Sequence, residues 1–145
     1  DWVTQTVNDG IIVHGRSDST LNRFGVRIGT SEIYSAIKDL DYVEDSLIIH
    51  LDHTNKDKLI LFIKSISEID HDELKSVIRQ KCSPRHVPDL IYQSDDVPYT
   101  ISGKKVEVPV KKILMGKNPN DVVSKDSLRN PKSLDWFVEF YKNYL

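Results

Sequence analysis

Two dense β-type runs, Leu47-Ile48-Ile49 and Leu59-Ile60-Leu61-Phe62-Ile63, constrain this chain most. Residues of this type favour the pleated, packed surface of a sheet. The segment between them, Asp52 to Lys58, is polar and turn-like, which predicts a hairpin. Leu90-Ile91-Tyr92 reads as a further strand, and Gly10 to His14 as an earlier one after an Asn-Asp-Gly turn signal. Segment 15–29 carries three glycines among polar residues, with Val26 and Ile28 alternating, and reads as a ribbon.

Helical periodicity supplies the rest. Ser31 is read as a cap for a helix with Ile33, Ile37 and Leu40 as its apolar stripe. Asp70-x-x-Glu73 is a capping box for a helix using Leu74, Val77 and Ile78, with Pro84 and Pro88 marking its exit. Val110 to Met115 is predicted as a short helix stopped by Gly116. The segment after it is polar until Asn130-Pro131, which reads as an N-cap followed by proline at the first helical position. Leu134, Phe137, Phe140, Tyr141 and Tyr144 then recur at helical spacing, as a packing face. The sum is an α+β fold: a small mixed sheet with packed helices, preceded by a short β-ribbon.

The 145 residues suit one compact domain, and 39% hydrophobic with 29% charged residues suits a soluble globular chain. A net charge of -2 gives no reason to expect nucleic acid or an anionic membrane as partner. One cysteine, Cys82, cannot close an internal disulfide, and no signal peptide or long apolar run is visible, so a cytoplasmic setting is expected. The five histidines lack metal-ligand spacing, so no metal site is expected, and Cys82 is read as structural. The chain opens Asp1-Trp2-Val3, which favours a piece of something longer.

Two glycine-bearing segments can carry chemistry. In the first, Gly15-Arg16-Ser17-Asp18 is followed by Gly25-Val26-Arg27-Ile28-Gly29. Arginine suits bidentate contact with phosphate or carboxylate, and glycine lets a ligand approach the backbone. The alternative is a surface turn with two solvated arginines. The second segment is Pro98-Tyr99-Thr100-Ile101-Ser102-Gly103-Lys104-Lys105. A lysine on such a loop can reach a neighbouring cleft and stabilise charge developing between carboxylate and phosphate. It is not a Walker-type loop, since the spaced first glycine is missing and no Ser or Thr follows the lysine. An exposed turn with an ordinary surface lysine is the alternative.

Together the two segments resemble signature motifs of the adenylate-forming superfamily. Gly15-Arg16-x-Asp18, Gly25-x-Arg27-x-Gly29 and Glu32-Ile33 resemble its hinge motif, and Pro98-x-Thr100-x-Ser102-Gly103-Lys104 its catalytic-lysine motif. The resemblance runs from Asp1 to about Gly116. Finer matches are similar to the acetoacetyl-CoA synthetases: Arg16-Ser17-Asp18 with Thr20-Leu21-Asn22, Ser31-Glu32-Ile33-Tyr34, Val43-Glu44-Asp45-Ser46-Leu47, Arg85-His86-Val87-Pro88 and Gly103-Lys104-Lys105-Val106-Glu107-Val108. Asn130-Pro131-x-Ser133-Leu134 is similar to that family's C-terminal extension. Asn22 stands where many superfamily members have lysine and Glu107 where many have arginine, and both departures fit the acetoacetyl branch.

The resemblance implies the C-terminal lid of an ATP-dependent acid–CoA ligase that is inactive alone. A carboxylate attacks ATP to give an acyl-adenylate and pyrophosphate; CoA thiol then gives acyl-CoA and AMP. The partner is the larger N-terminal adenylation domain, which binds the acid and, with Mg²⁺, most of ATP. Residues 1–17 would end that domain and lead to the hinge, 18–116 form the lid, and 117–145 form an extension with a terminal helix. Lys104 would bridge carboxylate and α-phosphate, and Asp18 would be the hinge. Asp1, Arg16 and Arg27 would meet ATP or AMP, Asp1 through the ribose hydroxyls. Gly25 would border the pantetheine tunnel, and Arg79 would contact a CoA phosphate. An acetyl- or propionyl-CoA synthetase lid, or a stand-alone binding module of this fold, are the alternatives.

Overall fold

Glycines and turn signals cut the start of the chain into short strands. The computed structural model describes residues 2–5, 11–15, 21–23, 26–53 and 56–144. In it β1 (Trp2–Gln5) pairs antiparallel with β2 (Ile11–Gly15), and β3 (Leu21–Arg23) with β4 (Val26–Ile28). There follow α1 (Thr30–Ile37), β5 (Asp45–His53), β6 (Lys56–Lys64), α2 (His71–Lys81), β7 (Leu90–Ser94), α3 (Glu107–Leu114), α4 (Pro119–Val122) and α5 (Lys132–Tyr144). The ribbon expected over 15–29 is the β3–β4 pair.

The uninterrupted apolar run at 59–63 is explained by its place. It lies in β6, the centre of a three-stranded sheet in the order β5-β6-β7. The predicted hairpin forms, with Leu47 opposite Phe62 and Ile49 opposite Ile60. β7 runs parallel to β6 after the α2 crossover, Ile91 opposite Leu61. Successive strand residues face opposite sides. Leu47, Ile49, Ile60 and Phe62 therefore face α3 and α5, while Ile48, Leu59, Leu61 and Ile63 face α1 and α2. Both faces are covered, so no polar alternation is needed.

Each helix closes one face for a visible reason. α1 sets Ile33, Ala36 and Ile37 against Ile48 and Leu61. α2 starts where Asp70 accepts the Glu73 amide at 3.0 Å, as the capping box predicts. In α5, Leu134, Phe137 and Phe140 are buried. The rings of Phe137 and Phe140 stand edge-on to Phe62, with centroids 5.0 and 5.1 Å away. Phe137 and Phe140 are thus spent on the domain's own sheet.

Three local expectations differ. The N-cap of α1 is Gly29, without a side-chain cap bond, and Ser31 lies inside the first turn. Asn130 does not cap α5; its side chain accepts from the Tyr99 amide and donates to Asp96 and the Val97 carbonyl, so tertiary bonds consume the capping group. The polar stretch before it, for which the sequence suggested no element, holds α4. Asn118 caps α4 by accepting the Asn120 amide at 3.0 Å, and Leu128 is buried among Val97, Val106 and Leu134.

Candidate active site

The segment around Lys104 is a closed hairpin. Tyr99 and Lys105 form an antiparallel bridge at its base. Above them the Thr100 amide donates to the Lys104 carbonyl at 2.8 Å, and the Gly103 amide to the Thr100 carbonyl at 2.9 Å. The Lys104 amide donates to Thr100 Oγ1 at 3.1 Å. Gly103 has φ +88, a conformation open to glycine at little cost, and a Cβ there would meet Arg129 Nη2 at 3.1 Å. Sequence reading expected a loop; the bridges make it a fixed turn with Lys104 exposed at its end.

A second strand of chain braces the turn from outside. The Ile101 amide donates to the Ser127 carbonyl at 3.0 Å, and the Arg129 amide to the Tyr99 carbonyl at 2.9 Å. Thr100 and Leu128 form a bridge between these two bonds. Asn130 ties the same segment to Asp96, whose carboxylate also pairs with Lys64 at 3.2 Å. Burial pushes the Asp96 carboxyl up, but hydrogen bonds from Asn130 and Val97 together with Lys64 hold it below the ordinary carboxylate value.

Beneath the turn lies a polar cluster that sequence reading missed. Tyr99 Oη donates to Asp45 Oδ2 at 2.7 Å, and Lys105 Nζ lies 3.3 Å from Asp45 Oδ1. Lys105 also donates to the Ser46 carbonyl at 2.6 Å and stands 3.4 Å over the Tyr34 ring. Tyr34 Oη donates to Glu107 at 2.7 Å and accepts the Ile48 amide at 3.0 Å. Burial draws the Lys105 ammonium below its ordinary value, against the opposing pull of Asp45 and Glu107. Burial first, then hydrogen bonding to Asp45, pushes the Tyr99 phenol up, so it remains a donor. The signal available in the sequence was the doubled lysine, two neighbours of which only one can face outward.

The other predicted site residues fall elsewhere. Arg27 is exposed on β4, and Arg79 is exposed near the end of α2. Asp1, Arg16, Asp18 and Gly25 lie outside the described residues. His86, quoted in the sequence only as part of a family match, is buried and joins two elements. Its Nε2 meets Glu32 Oε2 of α1 at 2.5 Å, and its Nδ1 meets Ser83 Oγ at 2.6 Å. Ser83 also accepts the Arg85 amide, which makes the chain of contacts a brace between α1 and the turn leaving α2. Cys82 lies beside it, its thiol pushed up by burial and by Glu32, so it is held as the unreactive thiol. Among the described residues no group of three or more His, Cys, Asp or Glu is placed to hold a metal, and no helix is long and apolar enough to cross a membrane.

A mixed three-stranded sheet covered on both faces, with a Ser-Gly-Lys turn at its edge, has the fold of the C-terminal domain of adenylate-forming enzymes. The fold is shared with the amide bond synthetase McbA from Marinactinospora thermotolerans, at TM-score 0.65 over 76% of this chain and 23% of that one, with 13% identity. The particular family is closer. The chain is a homologue of the C-terminal part of the acetoacetyl-CoA synthetases. It matches the Streptomyces lividans acetoacetyl-CoA synthetase structure at TM-score 0.88 and 35% identity over 100% of this chain and 22% of that one. It is 45% identical over 138 residues to the acetoacetyl-CoA synthetase of Caenorhabditis elegans, covering 90% of this chain. The chain spans only about a fifth of the curated relatives it matches, 19% of the worm protein. No protein-family model matches it.

Proposed function

We propose that this chain is the mobile lid of an ATP-dependent acid–CoA ligase that makes acetoacetyl-CoA, AMP and pyrophosphate from acetoacetate, ATP and CoA. The observation that carries the reading is Lys104: an exposed ammonium on a turn fixed by its own amide bonds and by the 127–130 segment. Adenylation brings two anions together, the acid's carboxylate and the α-phosphate. A cation held where they meet lowers the barrier because it need not reorganise at the moment of attack. Carboxylate oxygen then bonds to phosphorus as pyrophosphate leaves, and in the second step CoA sulfur bonds to the acyl carbon as AMP leaves.

The remaining roles follow from the resemblance. Asp18 would be the hinge that lets the lid present different faces to the two steps and exclude water from the adenylate. Asp1, Arg16 and Arg27 would contact ATP or AMP, Gly25 would leave room for the pantetheine arm, and Arg79 would meet a CoA phosphate. The exposure of Arg27 and Arg79 is compatible with that use. We assign Mg²⁺, with most of ATP, to the larger N-terminal domain, as the resemblance implies. We assign residues 1–17 to the end of that domain, 18–116 to the lid and 117–145 to an extension, and place the enzyme in the cytoplasm.

The test is AMP formation by the full-length protein with ATP, Mg²⁺ and CoA, comparing acetoacetate with acetate. A clear acetoacetate preference is expected. Activity with acetate instead would move the substrate assignment, and no turnover of any short acid would overturn the ligase. In the same protein Lys104→Ala is expected to lower adenylation by about 10²–10³-fold. Thioester formation from preformed acyl-adenylate should persist; equal loss of both half-reactions would remove Lys104 from the role.

A further inference from the structure

The two residues that close the Lys104 turn converge on one carboxylate. Tyr99 reaches Asp45 Oδ2 at 2.7 Å and Lys105 reaches Asp45 Oδ1 at 3.3 Å. The Lys105 side chain is only 18% exposed, while its neighbour Lys104 is exposed. Its ammonium is further held by the Ser46 carbonyl at 2.6 Å and the Tyr34 ring at 3.4 Å. Burying an ammonium is unfavourable unless every partner is in place, and an apolar side chain of similar volume commonly serves stability as well or better. A paired lysine in that place supplies direction. Neighbouring residues of an extended segment face opposite ways, so fixing Lys105 inward fixes Lys104 outward. Asp45 opens β5 and Tyr34 belongs to α1, so the sheet and a helix both hold the turn.

We propose that Lys105, through its pairing with Asp45, is a positioning residue for adenylation, setting where the Lys104 ammonium stands without itself touching substrate. This rests on the reading of Lys104 given above. A positioning role has a signature that a purely structural one lacks. It affects the half-reaction that uses Lys104 and leaves the other unchanged. It also makes Lys105 and Asp45 act as one unit.

The experiment compares Lys104→Ala, Lys105→Met, Asp45→Asn and the Lys105→Met/Asp45→Asn double variant in the full-length protein. Adenylation is read by acid-dependent exchange of pyrophosphate into ATP, and the second step by thioester formation from preformed acyl-adenylate. Lys105→Met and Asp45→Asn are each expected to lower the turnover rate of adenylation by about 10- to 100-fold with little change in KM for ATP. Thioester formation should stay within about twofold, which also reports a folded lid. The double variant should lose no more than the worse single variant, since both remove the same pair. Equal loss in both half-reactions, or additive losses in the double variant, would overturn the proposal. Wild-type adenylation in Lys105→Met beside an inactive Lys104→Ala would overturn the positioning role alone. An active Lys104→Ala would overturn the reading of Lys104 and this inference with it. Should Lys105→Met not fold, Asp45→Asn, which keeps a hydrogen-bond acceptor for Tyr99, decides the same question.

Discussion

At the residue scale, Gly103 shows how backbone geometry serves the site. Its φ of +88 places it where a side chain is strained, and the left-handed penalty for such residues is about 1–2 kcal/mol. A Cβ would also press on Arg129 Nη2 at 3.1 Å, a flexible group that can yield. Gly103→Ala is therefore expected to destabilise by about 1–2 kcal/mol in a urea titration. Since the strain sits next to Lys104, its effect on adenylation should exceed its effect on stability. An unchanged titration midpoint would show that the turn relaxes. Lys104 stood out as a candidate because its motif is local: Ser, Gly and Lys adjoin in sequence. Asp45, Tyr34 and Lys105 did not, since their meeting depends on β5, α1 and the turn assembling first. The same holds for Glu32 and His86, which sequence places far apart and the α1–α2 contact brings to 2.5 Å.

At the scale of elements, short-range pattern carried the reading: unbroken apolar runs for the sheet, a capping signal for α2 and a helical stripe for α5. The hairpin β5–β6, the capping box of α2 and the stripe of α5 follow from residues close in sequence. Phe137 tests the last of these. It is fully buried, with its ring centroid 5.0 Å from those of both Phe62 and Trp136. Phe137→Ala should cost about 3–5 kcal/mol, seen as a lower urea midpoint with unchanged slope. Trp136, half-buried and 5.0 Å from Phe137, offers fluorescence as the readout. A cost under about 1 kcal/mol would mean that α5 does not pack as described. Elements lacking such a pattern were harder to read. α4 is four residues long and buries none of them fully, although Asn118-Pro119 repeats the signal noticed at Asn130-Pro131. At Asn130 the signal misled as to the side chain: its Oδ1 accepts the Tyr99 amide, while its backbone carbonyl accepts the Ser133 amide at the helix start.

At the scale of the whole molecule, the side-chain bonds of Asn130 join segments that no local rule links. Asp96, just past β7, binds Asn130 of the later segment at 2.8 Å and Lys64 at the end of β6 at 3.2 Å. The 127–130 segment in turn braces the Lys104 turn, so one carboxylate ties the sheet to the candidate site. Its ionisation then links stability to pH. The folded-state value lies below the ordinary 3.8, so the folded chain binds its proton less readily than the unfolded one. The stabilisation is fully present above the ordinary value and disappears as the pH falls through the lowered one. Asp96→Asn removes the charge at every pH. The gap in urea midpoint between wild type and this variant should hold constant from neutral pH to about pH 5, then shrink as the pH is taken below about 4. Other carboxylates titrate over the same range, but they do so in both proteins, and the difference isolates Asp96. A gap that stayed constant through the acid range would show that the ionised form of Asp96 is not what the fold prefers. A gap that closed, accompanied by increased proteolysis at 127–130, would show that the brace on the Lys104 turn is released with it.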